Sequence, residues 1–436
     1  MIKKCMIALI SFFCLINVYA YDVENQISLY QANQNAILQV QQGKLTWASP
    51  VWWGFNAEDA TVFLQSAIDS GAKEIVIPNM GVPWIVKPIK LHSNQKIILL
   101  PGVVVLAKKG EFKGRGDSLF SADNVENLVI SGYGAILRMH KKDYQNKKEY
   151  EPAEWRMALS LTGCKNIIIE GIRCESSGGD GIYIGATHKQ NYCENVVIKD
   201  VVCDDNHRQG ISVISTKNLT IENCSLLNTS GTAPQAGIDF EPNGDDEQLT
   251  NITMKNCYIS GNKGAGVLVY LKNLKHTSTP VSINIENCIM KNDYDHGIAV
   301  GAVSEDGPQG KLIFKNCYIE GSKRGGIVVY DKSSKGLDVI FDSCVCFNTP
   351  DKQKGYPIKI NQWRKSITSD IGNVIFNNCV IFDDFMRKPV EFDTVDKNCD
   401  IQKVEGIILV KGNSLVSVEN KTSKKIDGLI IKKLEE

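Results

Sequence analysis

A glycine-led strand motif recurs at a nearly fixed interval. It reads Gly181-Ile182-Tyr183-Ile184, Gly210-Ile211-Ser212-Val213, Gly237-Ile238-Asp239-Phe240, Gly266-Val267-Leu268-Val269, Gly297-Ile298-Ala299-Val300 and Gly326-Ile327-Val328-Val329, with steps of 29, 27, 29, 31 and 29 residues. A second column runs half a repeat away: Ile169/Ile172, Ile198/Val201, Ile221/Cys224, Met254/Cys257, Ile285/Cys288, Phe314/Cys317, Phe341/Cys344 and Phe376/Cys379. Periods of 20–50 residues signal solenoids or propellers. Each unit holds two or three short alternating strands and no helix-length apolar face, which excludes helical solenoids. A propeller blade needs roughly 40 residues, too many for this period. One coil of a right-handed parallel β-helix fits.

In such a fold each coil stacks on the next at about 4.8 Å. Period-2 alternation then sends Ile182 and Ile184 inward and Tyr183 outward. Equivalent positions become vertical ladders, one of them Cys224, Cys257, Cys288, Cys317 and Cys344. Their side-chain vectors run parallel, which disfavours bridge geometry, so buried free thiols are expected.

The 436 residues carry 49 basic and 49 acidic side chains and are 43% apolar. That excludes a disordered chain, and the lack of basic excess gives no support to nucleic-acid binding. Lys3 and Lys4, the apolar run that follows and Val18-Tyr19-Ala20 read as a signal peptide over 1–20. The expectation is therefore an exported, periplasmic, secreted or cell-surface chain, monomeric and without an integral membrane segment. The organisation expected over 21–436 is one β-helix domain. It has a capping helix and first coils over 55–110, a loop insertion over 138–156, regular coils over 159–380, and final coils with a cap over 381–436.

The entry segment has its own pattern. Asn56 is placed to cap a helix over 57–70, with Ala60, Phe63, Leu64, Ala67 and Ile68 on its apolar face and Gly71 ending it. Strands are expected at 74–77, 97–100 and 103–107. The stretch NAEDATVFLQSAIDSGAKEIVIP…PIKLHSNQKIILLPGVVVLA, from Asn56 to Ala107, resembles the N-terminal signature of the pectate-lyase-like right-handed parallel β-helix superfamily. That resemblance implies an all-β solenoid with an N-terminal capping helix. It leaves the reaction open, because the superfamily includes lyases, hydrolases, epimerases and phage tailspikes.

Outward positions of the glycine-led ladder form a long groove suited to an extended polymer. Asp239 and Glu241 point the same way from one strand, and Asp180 lies just before the strand that opens at Gly181. Asp205, His207 and Arg208 occupy the corresponding turn one coil up from Asp180, and Asp295, His296 and Arg324 those higher still. Like-charge crowding of this kind demands a managed cation or proton. The segment Asp205-Asn206-His207-Arg208-Gln209-Gly210-Ile211-Ser212-Val213 resembles a strand entry of uronate-active β-helix enzymes, including mannuronan C5-epimerases. The chain lacks their Asp-Pro-His pattern. It also lacks the Gly-His-Gly and Arg-Ile-Lys elements of polygalacturonases.

Three readings follow. The first is a polysaccharide lyase acting by β-elimination on a uronic-acid polymer, pectin-type or glycosaminoglycan. His207 would be its base, Tyr183 or Tyr270 its acid, and Arg208 the partner of the uronate carboxylate. Asp180, Asp205, Asp239 and Glu241 would be candidate ligands for Ca²⁺. The second is a glycoside hydrolase using paired carboxylates among Asp239, Glu241, Asp180 and Asp205. The third is a non-catalytic glycan-binding β-helix. Tyr183, Asp205, His296, Arg324 and Tyr330 are candidate contacts to the acidic polysaccharide. So are Arg138 and Lys141 of the insertion, whose Tyr144, Tyr150 and Trp155 are candidates for sugar stacking.

Overall fold

The computed structural model describes residues 27–435. The expected signal peptide, with Cys5 and Cys14, lies outside the described residues. Among the described residues the chain winds into a parallel β-helix in which the strand ladders pair in parallel, each strand with its equivalent one coil away, and two isolated bridges, Arg156–Gly178 and Ser333–Ile371, are antiparallel. Three strand ladders make the walls. Two of them, exemplified by Lys165–Glu170 and Arg173–Glu175, join through long strands near the C-terminal end such as Ile371–Asp383. The third is a separate sheet of twelve strands, from Ile89–Lys90 through Ile182–Gly185, Ile211–Val213, Ile238–Phe240 and Val267–Tyr270 to Glu419–Asn420. Among the described residues no helix is long and apolar enough to cross a membrane.

Register in the twelve-stranded sheet follows the glycine repeat. Tyr183, Ser212, Asp239, Leu268, Ala299 and Val328 are successive Cα partners. Their neighbours Ile182, Ile211, Ile238, Val267, Ile298 and Ile327 are fully buried. Each such aliphatic side chain contributes on the order of 1.5–3 kcal/mol by leaving water. In the second column Phe314, Phe341 and Phe376 stack nearly parallel, with centroids 5.1 and 5.3 Å apart. The cysteine ladder is buried and its thiols are free. The Cys317 and Cys344 thiols donate to the carbonyls of Ile285 and Phe314.

A second ladder runs on the outside. Asn127, Asn166, Asn195, Asn218 and Asn251 adopt left-handed backbone, which asparagine tolerates better than most residues. Each donates its side-chain amide to the asparagine below, at 2.7–2.9 Å, with Asn94 at the bottom.

The entry segment departs from expectation in two places. The capping helix is Thr61–Asp69, shorter than 57–70. Asn56 instead accepts from the Glu58 amide, and Asp59 accepts from the amide and hydroxyl of Thr61. These local turns compete with helix before residue 61. An additional helix, Gln34–Gln41, precedes it, with the Asn33 side chain accepting from the Ala36 amide. The strands Glu74–Ile77, Gln95–Leu99 and Val104–Ala107 lie where the pattern puts them, within two residues.

Candidate active site

Arg208 leaves the turn before strand Ile211–Val213 and lies across the outer face of the twelve-stranded sheet. Each of its three nitrogens meets a different carboxylate. Nε is 3.7 Å from Glu154, Nη1 is 3.8 Å from Asp180, and Nη2 donates to Glu241 at 3.4 Å. Burial works against the guanidinium charge, but the surrounding acids outweigh it and raise the Arg208 pKa.

Asp239 sits on the floor beneath. Its carboxyl accepts from Gln209 Nε2 and from Ser212 Oγ, each at 2.7 Å. Gln209 is held in place because its own oxygen accepts from the Ala236 amide at 2.8 Å. Burial pushes the Asp239 pKa up to about 7. Arg208 opposes that shift, and Glu241, within hydrogen-bonding reach, adds to it. Asp180 is fully buried and neither of its oxygens accepts a hydrogen bond. Desolvation holds its pKa well above the ordinary carboxylate value, despite Arg208. Tyr183 folds over Gly185 beside this cluster, and burial raises its phenol.

The structure therefore gathers Asp180, Arg208, Asp239, Glu241 and Tyr183. It also adds Glu154, Gln209 and Ser212, which were not singled out from the sequence. Glu154 comes from the insertion, whose lack of apolar period hid any register. Gln209 shares the position just before the repeat glycine with Asp180 and His296, so the period did carry that signal.

The remaining candidates lie elsewhere. The His207 ring turns away from the carboxylates toward Thr232 Oγ1, at 2.8 Å, and Gln145. Its pKa is lowered by burial and then by Lys141. Asp205 pairs with Lys141 at 2.7 Å and with Ser176. Lys141 also donates to the Asn206 carbonyl and to Ser230, so it ties the insertion to the turn stack. Arg138 pairs with Glu175 on another wall. The expectation of one trough holding both His207 and Asp239 is thus corrected: the imidazole meets Thr232 and Gln145, and Arg208 takes the carboxylates.

The insertion is also more ordered than a solvated loop. Tyr144 and Tyr150 are buried edge-to-face, with the Arg156 guanidinium 5.5 and 5.6 Å from their rings. They are packing residues, and of the three aromatic candidates Trp155 alone is exposed.

Of the four acids expected to hold Ca²⁺, Asp180, Asp239 and Glu241 gather around Arg208, and Asp205 lies apart. Asp205 is engaged by Lys141, and the guanidinium of Arg208 fills the space between Asp180 and Glu241. Among the described residues no group of three or more His, Cys, Asp or Glu is arranged to hold a metal ion.

Farther along the same face the floor turns apolar at Leu268, Ala299 and Val328. Tyr330 stacks on Trp363 there, with centroids 4.2 Å apart. Tyr270 borders both regions, and its hydroxyl accepts from Arg364 Nη1. His296 is buried beside Asp295, with Nδ1 2.7 Å from Oδ1, and Arg324 lies 3.8 Å from the same carboxylate.

The family model for the right handed beta helix region matches residues 123–251, 153–305 and 247–431. The chain belongs to the right-handed β-helix family. Within it, the chain is 26% identical to the SPβ prophage-derived protein YorA of Bacillus subtilis, over 57% of this chain and 42% of that protein. It is 22% identical to a probable polygalacturonase of Arabidopsis thaliana, over 74% of this chain and 64% of the relative. The chain thus spans less than two thirds of these curated relatives. The A-module of Azotobacter vinelandii mannuronan C-5 epimerase AlgE6 superposes with a TM-score of 0.62 at 14% identity, covering 88% of this chain and 98% of the module. These β-helix neighbours share the fold.

Proposed function

We propose that this β-helix chain is a polysaccharide-cleaving glycoside hydrolase that works by carboxylate acid–base chemistry on an acidic polymer. One observation carries the reading: two solvent-reachable carboxylates, Glu154 and Glu241, address the same fork of Arg208, and a proton-holding Asp239 lies beneath one of them. Their side chains are 29% and 25% exposed, whereas Asp180 is fully enclosed. Nε and Nη2 belong to one edge of the guanidinium. These two contacts therefore keep the carboxylates at or below about 9.5 Å, the upper end of the range used by two-carboxylate glycosidases.

Glu241, sharing a proton with Asp239, donates it to the glycosidic oxygen as the C–O bond breaks. Glu154 accepts a proton from the water that attacks the anomeric carbon. One bond cleaved yields one new reducing end. Arg208 orients both acids and limits their mutual repulsion. Relatives named for galacturonate and mannuronan polymers support an acidic substrate. The contacts of His207, the base of the β-elimination reading, are with Thr232 and Gln145 and not with these carboxylates, which favours the hydrolase reading.

The test is incubation with polygalacturonate, alginate and a neutral glucan, following reducing ends and ultraviolet-absorbing unsaturated ends together. Hydrolysis gives reducing ends alone. Unsaturated ends in step with reducing ends would establish a lyase, and silence on all three polymers would remove both enzyme readings for those substrates.

A further inference from the structure

The groove does not stop at the carboxylates. One strand beyond Asp239 it meets Leu268, then Ala299 and Val328, each about 4.8 Å farther along the axis. These outward side chains are nine-tenths buried or more and form an apolar cluster separate from the main core. They floor a cleft of about 400 Å³. Tyr330 lies flat against Gly301, where any Cβ would strike its ring, and Trp363 stacks on it with planes 16° apart. Trp363 is fixed from below: its amide donates to the buried Asp331 carboxylate at 2.7 Å, and Arg364 Nε donates to the other oxygen. The indole is nonetheless 47% exposed. On the opposite wall Lys263 and Arg324 outweigh the one lining carboxylate, Asp295.

We propose that this cleft is a sugar subsite for the part of the polymer that is not cut, selecting a carboxylate-bearing hexose one to three units from the scissile bond. The apolar face of a pyranose matches the Leu268–Ala299–Val328 floor and the indole wall. A ring carboxylate matches Arg324, whose side chain is 63% exposed and held only at 3.8 Å by Asp295. The occupant follows from continuity with the Arg208 cluster on one sheet face and from the reversal of charge along it. An acid-rich centre cuts, and a cation-rimmed apolar cleft grips. The inference rests on the proposed polysaccharide reading and adds the specificity element to it.

The experiment measures binding in a chain that cannot cut. Titration calorimetry of Glu241→Gln with tetragalacturonate is compared with maltotetraose, then repeated with Trp363→Ala, Arg324→Ala or Ala299→Gln added. Ala299→Gln puts a polar side chain on the floor without touching the aromatic pair, so it guards against a local packing defect in Trp363→Ala. Expected are preference for the acidic tetramer, at least tenfold weaker binding with Trp363→Ala and Ala299→Gln, and loss of the acid preference with Arg324→Ala. Unchanged affinity in Trp363→Ala and Ala299→Gln overturns the subsite, as does equal binding of both tetramers. Concentration-dependent dimerisation abolished by Trp363→Ala would assign the cleft to a second copy and also overturn it. Because binding is read without turnover, a wild-type chain that cleaves nothing yet shows these losses keeps the subsite and sinks only the hydrolase.

Discussion

Arg208 Nη1 lies 3.8 Å from an Asp180 carboxylate that is wholly buried and accepts no hydrogen bond. That guanidinium is the cation that offsets the repulsion of Asp180 by Asp239 and Glu154, and it also serves Glu241. Removing it leaves several acids crowded without a counter-charge. Arg208→Ala is expected to lose about 3–5 kcal/mol of stability at pH 7 and to recover much of it near pH 4. Urea denaturation at the two pH values checks this.

Asp239 keeps its proton in the folded chain to about pH 7, whereas an exposed carboxyl releases it near 4. Between those values the folded state binds more protons than the unfolded one, so this group's contribution to stability falls as pH rises. Asp239→Asn cannot ionise. Its melting temperature relative to wild type is expected to climb from pH 4 to pH 7. A constant difference would show that the Asp239 proton is not held.

The same proton shapes the rate. Cleavage is expected to fall as pH rises through about 7, and Asp239→Asn is expected to lose that limb along with most activity. A pH–rate profile of kcat in each protein reads both effects.

Lys332 is buried, with Nζ donating to the carbonyls of Ser333 and Gly372, and desolvation brings its pKa down to about 7 from 10.5. Across that window the unfolded chain binds the proton that the folded chain lacks. Stability from this site therefore rises with pH from about 7 toward 10.5. Lys332→Met is expected to flatten the slope, as seen by denaturation at pH 7 and pH 9.

The twelve cysteines from Cys164 to Cys399 are buried and free. Thiol reagents are expected to leave them unmodified in the native chain and to label all twelve in guanidinium without prior reduction. Fewer labels would mean bridges among them.

The period of about 29 residues carried most of the fold, because a parallel coil forces equivalent residues into register. It put Ile182 inside and Asp239 outside, and placed Asp180, Arg208 and Glu241 on neighbouring coils. It also held two unread signals. Gln209 and His296 share the pre-glycine column with Asp180, and Asn127, Asn166, Asn195, Asn218 and Asn251 repeat as a ladder. His207 was misplaced for a physical reason: adjacent turn residues diverge, and no strand alternation fixes which side of the turn a ring takes. Glu154 was not legible, since its contact with Arg208 depends on how the insertion folds around Tyr144, Tyr150 and Arg156. Trp363 follows a strand end, and its seat over Tyr330 depends on hydrogen bonds to Asp331 that spacing does not reveal.

The central claim is that the Arg208-centred carboxylates, and not the His207 imidazole, carry cleavage. The most direct measurement is the rate of reducing-end release from the best polymer by Glu241→Gln, Glu154→Gln and His207→Gln, each verified as folded. The account predicts losses on the order of 10²–10⁴ for each glutamate variant and near wild-type turnover for His207→Gln. Full activity in both glutamate variants, or an inactive His207→Gln with native structure, would contradict it.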